Sequence, residues 1–274
     1  MLDVLRIAAL TQAADGVAPL DEATLLAWRH HPESLTVWGD HRGFGLLHDR
    51  ELSLVVVPHE RGTGLGTRLL REAPAEAQTA WSHGDHPAAR ALAASHGWVA
   101  ARELWVMRRG GEGLDKLDLR GTDLGGTDLR GVDLRGFRAG DEAELLRVNA
   151  AAFADHPEQS ALSLDGLRER MAEAWFSAEG LIGAWRGDRL LAFHWTKRHS
   201  PALGEVYVVG VDPAAQGQGL GRLVTLAGLN HLASVGVEEI HLYVEADNAP
   251  AVALYTGLGF GHDPADTHVQ YRRG

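Results

Sequence analysis

The segment Gly210-Val211-Asp212-Pro213-Ala214-Ala215-Gln216-Gly217-Gln218-Gly219-Leu220-Gly221 joins a β-branched run, Glu205 to Val211, to an apolar-faced one, Leu220 to Ser234. In the second run Leu220, Leu223, Val224 and Ala227 fall on one helical face, and Gly236 stops it. Strand, glycine-rich turn and helix in that order make a cradle for a pyrophosphate. Glycines let the backbone approach the ligand, and free N–H groups at the helix start attract anionic oxygen. The turn lacks the Gly-Lys-Ser/Thr ending of a nucleotide P-loop and the first glycine of a dinucleotide fingerprint. A glycine-rich turn alone is a weak signal, and its surroundings carry the rest.

Upstream, Val55-Val56-Val57-Pro58-His59-Glu60-Arg61-Gly62-Thr63-Gly64-Leu65-Gly66 repeats the segment without a gap, pairing Pro58 with Pro213, Arg61 with Gln216, Gly64 with Gly219 and Gly66 with Gly221. His96-Gly97-Trp98 then stands opposite Leu258-Gly259-Phe260, so the chain contains one kind of half twice. Between the halves, Leu117-Asp118-Leu119-Arg120-Gly121 is echoed three times, ending with Val132-Asp133-Leu134-Arg135-Gly136. A single β-helical coil of such repeats cannot bury its face without stacked neighbours. The segment therefore reads as a linker whose last copy becomes a strand. The expected organisation is a first domain over 1–112, a linker over 113–131 and a second domain over 132–274.

Each half reads as α+β. In the second, helices are expected over Asp141 to Phe153 and Leu164 to Trp175, and hairpin strands over Leu181 to Trp185 and Leu190 to Trp195. After the cradle helix come a strand over Ile240 to Val244, a helix over Ala249 to Leu258 and a last strand over His268 to Arg272. The tryptophans at 175, 185 and 195 fall on these elements and read as packing.

Strand, Gln-x-x-Gly-x-Gly, helix, strand, Asn248, helix, Tyr255 and Leu258-Gly259-Phe260, taken together, resemble the signature of the Gcn5-related N-acetyltransferases (GNATs). The resemblance spans both halves, and only the second has every element. It implies two tandem GNAT domains, each a mixed, mostly antiparallel sheet flanked by helices, with acetyl-CoA as acetyl donor and no metal. In that family the strand before the cradle splays from its neighbour and the cofactor enters the gap. Carried over, Val209, Gly210 and Val211 would hold the pantetheine, and Gln216, Gly217, Gln218, Gly219, Leu220, Gly221 and Arg222 the pyrophosphate. Asn248, Ala249, Pro250, Ala251, Val252 and Ala253 would position the cofactor. Tyr255 would be the acid for the departing thiolate, since a phenol titrating near 10 can protonate a thiol-type anion whose pKa is about 8.5. Glu205 would be the base that an amine needs, an α-amine being mostly ammonium near pH 7. In the first half, Leu54, Val55, Val56, Gly62, Thr63, Gly64, Leu65, Gly66 and Thr67 would hold a second acetyl-CoA. There Arg50 stands in place of Glu205, His86 in place of Asn248 and Ala93 in place of Tyr255, so this half is expected not to catalyse.

Further strings narrow the resemblance, among them Val148-Asn149-Ala150-Ala151-Ala152-Phe153, His156-Pro157-Glu158-Gln159, Phe193-His194-Trp195-Thr196-Lys197 and Leu242-Tyr243-Val244-Glu245-Ala246-Asp247-Asn248. They resemble a tandem, actinobacterial branch of the family whose members acetylate the cysteinyl amine of a cysteine–glucosamine–inositol conjugate, completing the thiol mycothiol. That resemblance implies a polar substrate pocket of Glu22, Glu158, Lys197, Glu205 and Tyr243. Of 26 basic residues only Lys116 and Lys197 are lysine, which draws attention to Lys197. The five-residue repeats and a short link from Lys197 to Glu205 depart from the branch's pattern.

Composition sets the outer limits. A net charge of −11 speaks against nucleic acid or an anionic membrane as partner. The absence of cysteine excludes disulfides and thiolate chemistry by the protein itself. No apolar stretch is long enough to span a bilayer and Met1 to Gly16 has no leader pattern, so a cytoplasmic protein is expected, as a monomer. Among 15 histidines the best metal-like cluster is His83-Gly84-Asp85-His86, without the His-Glu-x-x-His spacing of a helical zinc site. No Gly-x-Ser-x-Gly elbow supports serine hydrolysis. Two alternatives stay open on these residues: a tandem acetyltransferase for another amine, and an acyl-CoA-binding module without turnover.

Overall fold

The computed structural model describes residues 2–110, 131–154 and 162–274. In chain order the elements are α1 (Val4–Asp15), α2 (Glu22–His30), β1 (Thr36–Asp40), β2 (Gly43–His48), β3 (Glu51–Val56), α3 (Leu65–Arg71), β4 (Thr79–Ser82), α4 (Pro87–Ser95), β5 (Trp98–Gly110), β6 (Asp133–Gly136), α5 (Glu142–Ala152), α6 (Leu164–Met171), β7 (Leu181–Arg186), β8 (Arg189–Arg198), β9 (Leu203–Val211), α7 (Leu220–Ser234), β10 (Glu239–Glu245), α8 (Ala249–Gly257) and β11 (Gly261–Arg273). They divide into two compact units that do not follow the chain in order. One comprises Met1–Val106, Val244–Ala249 and His262–Gly274; the other comprises Met107–Tyr243 and Pro250–Gly261.

In the first unit the strands lie in the order β1-β2-β3-β4-β11-β5. β3 and β4 are parallel, while β1, β2 and β3 form an antiparallel meander and β11 runs antiparallel to β4, from Val269↔Ser82 to Arg272↔Thr79. Sequence reading places the last strand in the second domain, and the structure corrects this. Val269 and Tyr271 are buried with Leu47, Leu52, Ala93 and Trp98 in the core of the first unit. Apolar alternation marks a strand without saying which sheet it joins. The second hairpin turns at Asp49 and Arg50, whose φ of 43° and 69° are the left-handed pair of a tight two-residue loop.

In the second unit the order is β10-β9-β8-β7-β6, with β10 parallel to β9 and the other pairs antiparallel. The fourth five-residue copy forms β6 as expected; the first three fall almost wholly outside the described residues. Side-chain alternation along β8 divides the core. Phe193 and Trp195 pack with Leu145 and Val148 of α5 and Leu167 of α6, whereas Ala192 packs with Leu220, Leu223 and Val224 of α7. His194 lies on the α7 side, fully buried, its Nδ1 3.1 Å from the Val224 carbonyl, and burial lowers its pKa to about 4. Several expected boundaries move; β8 runs on to Arg198 instead of ending at Trp195, and β9 starts at Leu203. α6 ends at Met171 rather than running to Trp175, and β11 starts at Gly261.

Candidate active site

β9 is the axis of the site. Against β10 it pairs from Leu203↔Glu239 to Val206↔Leu242 and no further, while against β8 it stays paired to Val211↔Ala192. The two parallel strands therefore part after Val206, and Val209, Gly210 and Val211 border the gap. A short 3₁₀ turn, Pro213–Ala215, leads to the cradle, where Gly217 and Gly219 have φ of 75° and 70°. A Cβ on Gly217 would meet nothing within 4 Å, so glycine is needed there for the left-handed backbone and not for space. Gly219 caps α7, and the positive end of that 15-residue helix faces the turn. Arg222, on the first turn of α7, has a buried Nε with no hydrogen-bond partner. An orphaned guanidinium donor beside free helix N–H groups fits a diphosphate.

The opposite end of β9 carries a row of buried polar side chains. Register places Lys197 of β8 and His241 of β10 directly beside Glu205, and the three are 9%, 6% and 6% exposed. Buried charge of this kind persists only when paired. The Oε2 of Glu205 lies 2.5 Å from His199 Nε2 and 3.6 Å from His241 Nε2, and the two imidazoles stack with centroids 5.0 Å apart. Burial pushes the Glu205 carboxyl up, but the hydrogen bond from His199, the nearby His241 ring and the charge of Lys197 overcome it, leaving the pKa at about 2. The Lys197 ammonium lies 4.9 Å from the Trp175 ring centre and 5.2 Å from that of Tyr207, held as a cation over aromatic faces. Tyr207 also accepts a hydrogen bond from Arg170 Nε at 3.1 Å and, with Arg170 and Asn149, lines a cavity of about 150 Å³. Tyr243, two residues along β10 from His241, is 45% exposed and stands edge-on to it at 5.5 Å.

Tyr255 sits on α8, half-buried and edge-on to Phe260. Burial pushes its phenol up to about 12, so it stays protonated at physiological pH. Asn248 and Ala249 fall in the first unit, whereas Pro250, Ala251, Val252, Ala253 and Tyr255 fall in the second. Glu22 lies in the first turn of α2 in the first unit. Glu158 lies outside the described residues.

The first unit repeats the cradle in its own fold. The 3₁₀ turn Pro58–Glu60 precedes Gly62 and Gly64, with φ of 75° and 88°, and Gly64 caps α3. A cavity of about 520 Å³ is lined by Leu54, Val55, Val56, Gly62, Gly64, Gly66 and Thr67; Thr63 and Leu65 do not reach it. Arg61, at the place of Gln216, is fixed by Asp15 through two bonds of 2.7 Å and lies 3.2 Å from His86. The other positions of that histidine-rich stretch are engaged too, His83 with His268 at 3.1 Å and Asp85 with Arg90. Arg50 is a hairpin-turn residue 3.4 Å from Gln78 Oε1, and Ala93 is buried in α4. Neither position offers a base or an acid.

Sequence reading finds Glu205, Lys197 and Tyr243 but misses His199, His241, Trp175 and Tyr207. The period-two pairs Glu205/Tyr207 and His241/Tyr243 are visible in the chain, yet only the register shows that they share a face. Trp175, read as packing alone, also carries Lys197.

The acetyltransferase (GNAT) family matches residues 149–260. A protein of a Nocardioides species named mycothiol acetyltransferase is 54% identical over 292 residues, covering 98% of this chain and 96% of its own length. One of the same name from Actinosynnema mirum is 45% identical over 289 residues, covering 98% and 94%. Among solved structures, a tandem GNAT protein from the clavulanic acid biosynthesis pathway superposes with a TM-score of 0.68 at 19% identity, over 98% of this chain and 94% of that one, a likeness of fold. At such identities over nearly its whole length, this chain belongs to the mycothiol acetyltransferase family of GNAT acyltransferases.

Proposed function

We propose that the protein transfers the acetyl group of acetyl-CoA to the cysteinyl amine of cysteine–glucosamine–inositol, giving mycothiol, and that its second unit performs the chemistry. The observation that carries this reading is that one strand, β9, bears the polar row at one end and leads into the cradle at the other. Val209, Gly210 and Val211 offer free backbone groups at the parted edge to the pantetheine amides. Gln216 to Arg222 take the pyrophosphate, with the Arg222 Nε donating to it. Asn248 to Ala253 position the cofactor at the start of α8.

Acetyl-CoA supplies the activated acetyl group. Glu205, ionised and buried, is the centre of the base that frees the amine, and Tyr255 is the acid that protonates the departing thiolate. Lys197 and Tyr243, on the face of Glu205, contact the polyhydroxylated acceptor; such a ligand is oriented by a few convergent polar groups. The cradle of the first unit holds a second acetyl-CoA without turnover, since Arg50 and Ala93 stand where base and acid would be needed. Deleting the gene in its host should remove N-acetylated thiol and accumulate the unacetylated conjugate. Accumulation of an unrelated amine instead would contradict the assignment.

A further inference from the structure

Glu205 is poorly placed to meet the amine itself. Its side chain is 7% exposed and roofed by two imidazoles, and of these His241 is equally covered while the His199 side chain is 34% exposed. An amine coming from solvent reaches His199 first. The ring is held from both directions. The β8–β9 link is short, with the His199 N–H donating to the Leu203 carbonyl at 2.9 Å, and Nε2 lies 2.5 Å from Glu205 Oε2. A carboxylate only accepts, so the hydrogen of that contact belongs to His199 Nε2 and the lone pair of the neutral ring is on Nδ1. The short link, a departure from the branch's sequence pattern, thus becomes the device that brings this ring onto the carboxylate.

Building on the functional reading above, we infer that His199 is the catalytic proton acceptor of this enzyme and Glu205 its positioning partner. A carboxylate that orients an imidazole and balances its positive charge is the arrangement that lets a histidine serve as general base. The depressed pKa of Glu205 agrees, because a carboxylate held so acidic takes a proton from an ammonium poorly. The groups around His199 are Glu205 from β9, which pairs with Lys197 of β8, and His241 from β10 with Tyr243 beside it.

The substrate ammonium gives one proton to His199 Nδ1, leaving a free amine and an imidazolium paired with Glu205. The amine forms the C–N bond at the thioester carbonyl and the C–S bond breaks. The thiolate takes a proton from Tyr255, which regains one from the acylated nitrogen. The imidazolium then sheds its proton to water, so one ammonium and one thioester yield one amide, one thiol and one released proton.

A shared metal ion is the competing use of such a cluster, since ligand atoms of His199, Glu205 and His241 lie within 4.8 Å of one another. Two ligands on one tetrahedral zinc at about 2.0–2.1 Å would stand roughly 3.4 Å apart, and the His199–Glu205 contact at 2.5 Å is a hydrogen bond instead.

The test uses the full chain and whichever amine the wild-type protein acetylates, so failure of the conjugate as substrate would strike the functional reading and leave this comparison standing. His199→Ala and His199→Gln are compared with wild type by kcat/KM against pH, with acetyl-CoA affinity by calorimetry as the check on folding. His199→Ala should lower kcat/KM about 100-fold or more, abolish the acid-side bend that an imidazole gives, and recover about tenfold on adding free imidazole. Wild-type rates in either variant overturn the assignment. So does a loss in both with the bend unmoved and no response to imidazole, which would mark a structural role. Loss of wild-type activity to a chelator, restored by zinc, would overturn it in favour of a metal.

Discussion

Glu205 couples the chemistry of the site to the stability of the second unit. Its folded pKa, about 2, lies below the usual 4.5, so the paired carboxylate stabilises the fold above pH 4.5 and loses that contribution as pH falls towards 2. Denaturant unfolding of wild type and Glu205→Gln should therefore differ near pH 7 and converge between pH 4.5 and 2; a difference that persists below that window contradicts the ionised pair. Tyr255 works in the opposite direction, kept protonated by burial. Tyr255→Phe should slow turnover about 100-fold or more while leaving acetyl-CoA affinity within about twofold, and an unchanged rate would place the acid elsewhere. Lys197 and Glu205 were legible in the chain, one as a rare lysine and one as the acid opening a β-branched run. His199 and His241 were not, because the pairing that places them beside Glu205 depends on strand register and a hairpin closure that residue types do not encode.

Among the elements, α7 was read to the residue, since it has an unambiguous period and a glycine stop at Gly236, and β9 to within two residues at its start. What sequence could not show is the irregularity that shapes the site. Between Trp195 and Thr196 the β8–β9 register shifts, so Tyr207 is the extra residue of a bulge. That bulge keeps Val208 opposite Trp195 while setting Glu205 opposite Lys197. The packing of α7 on β8 is equally specific. Gly228 has no room for a side chain, because a Cβ there would run into the His194 ring. Gly228→Ala, ordinarily favourable inside a helix, should instead destabilise by about 1–3 kcal/mol. Thermal unfolding checks it, and a stabilised variant would mean that His194 swings aside freely.

At the scale of the molecule, the duplication read from two glycine turns holds in structure, each unit carrying a 3₁₀ turn, two left-handed glycines and a capped helix. The domain boundary did not follow from the duplication, because β11 joins the first unit's sheet beside β4. Removing residues 262–274 should therefore unfold the first unit, seen as loss of amide-exchange protection in β3 and β4; retained protection would contradict the assignment of β11. Gly64→Trp should fill the first unit's cradle, reduce the acetyl-CoA stoichiometry from two to one and spare most turnover, whereas abolished turnover in a folded variant would end the division of labour. The most direct measurement offers purified protein acetyl-CoA with cysteinyl–glucosaminyl–inositol and, separately, a panel of other amines, following thiol release and locating the new acetyl group by mass spectrometry. Rapid turnover of the conjugate, with acetylation at the cysteinyl nitrogen, and at most slow turnover of the rest are expected. No turnover of the conjugate beside brisk acetylation of an unrelated amine would contradict the proposed function.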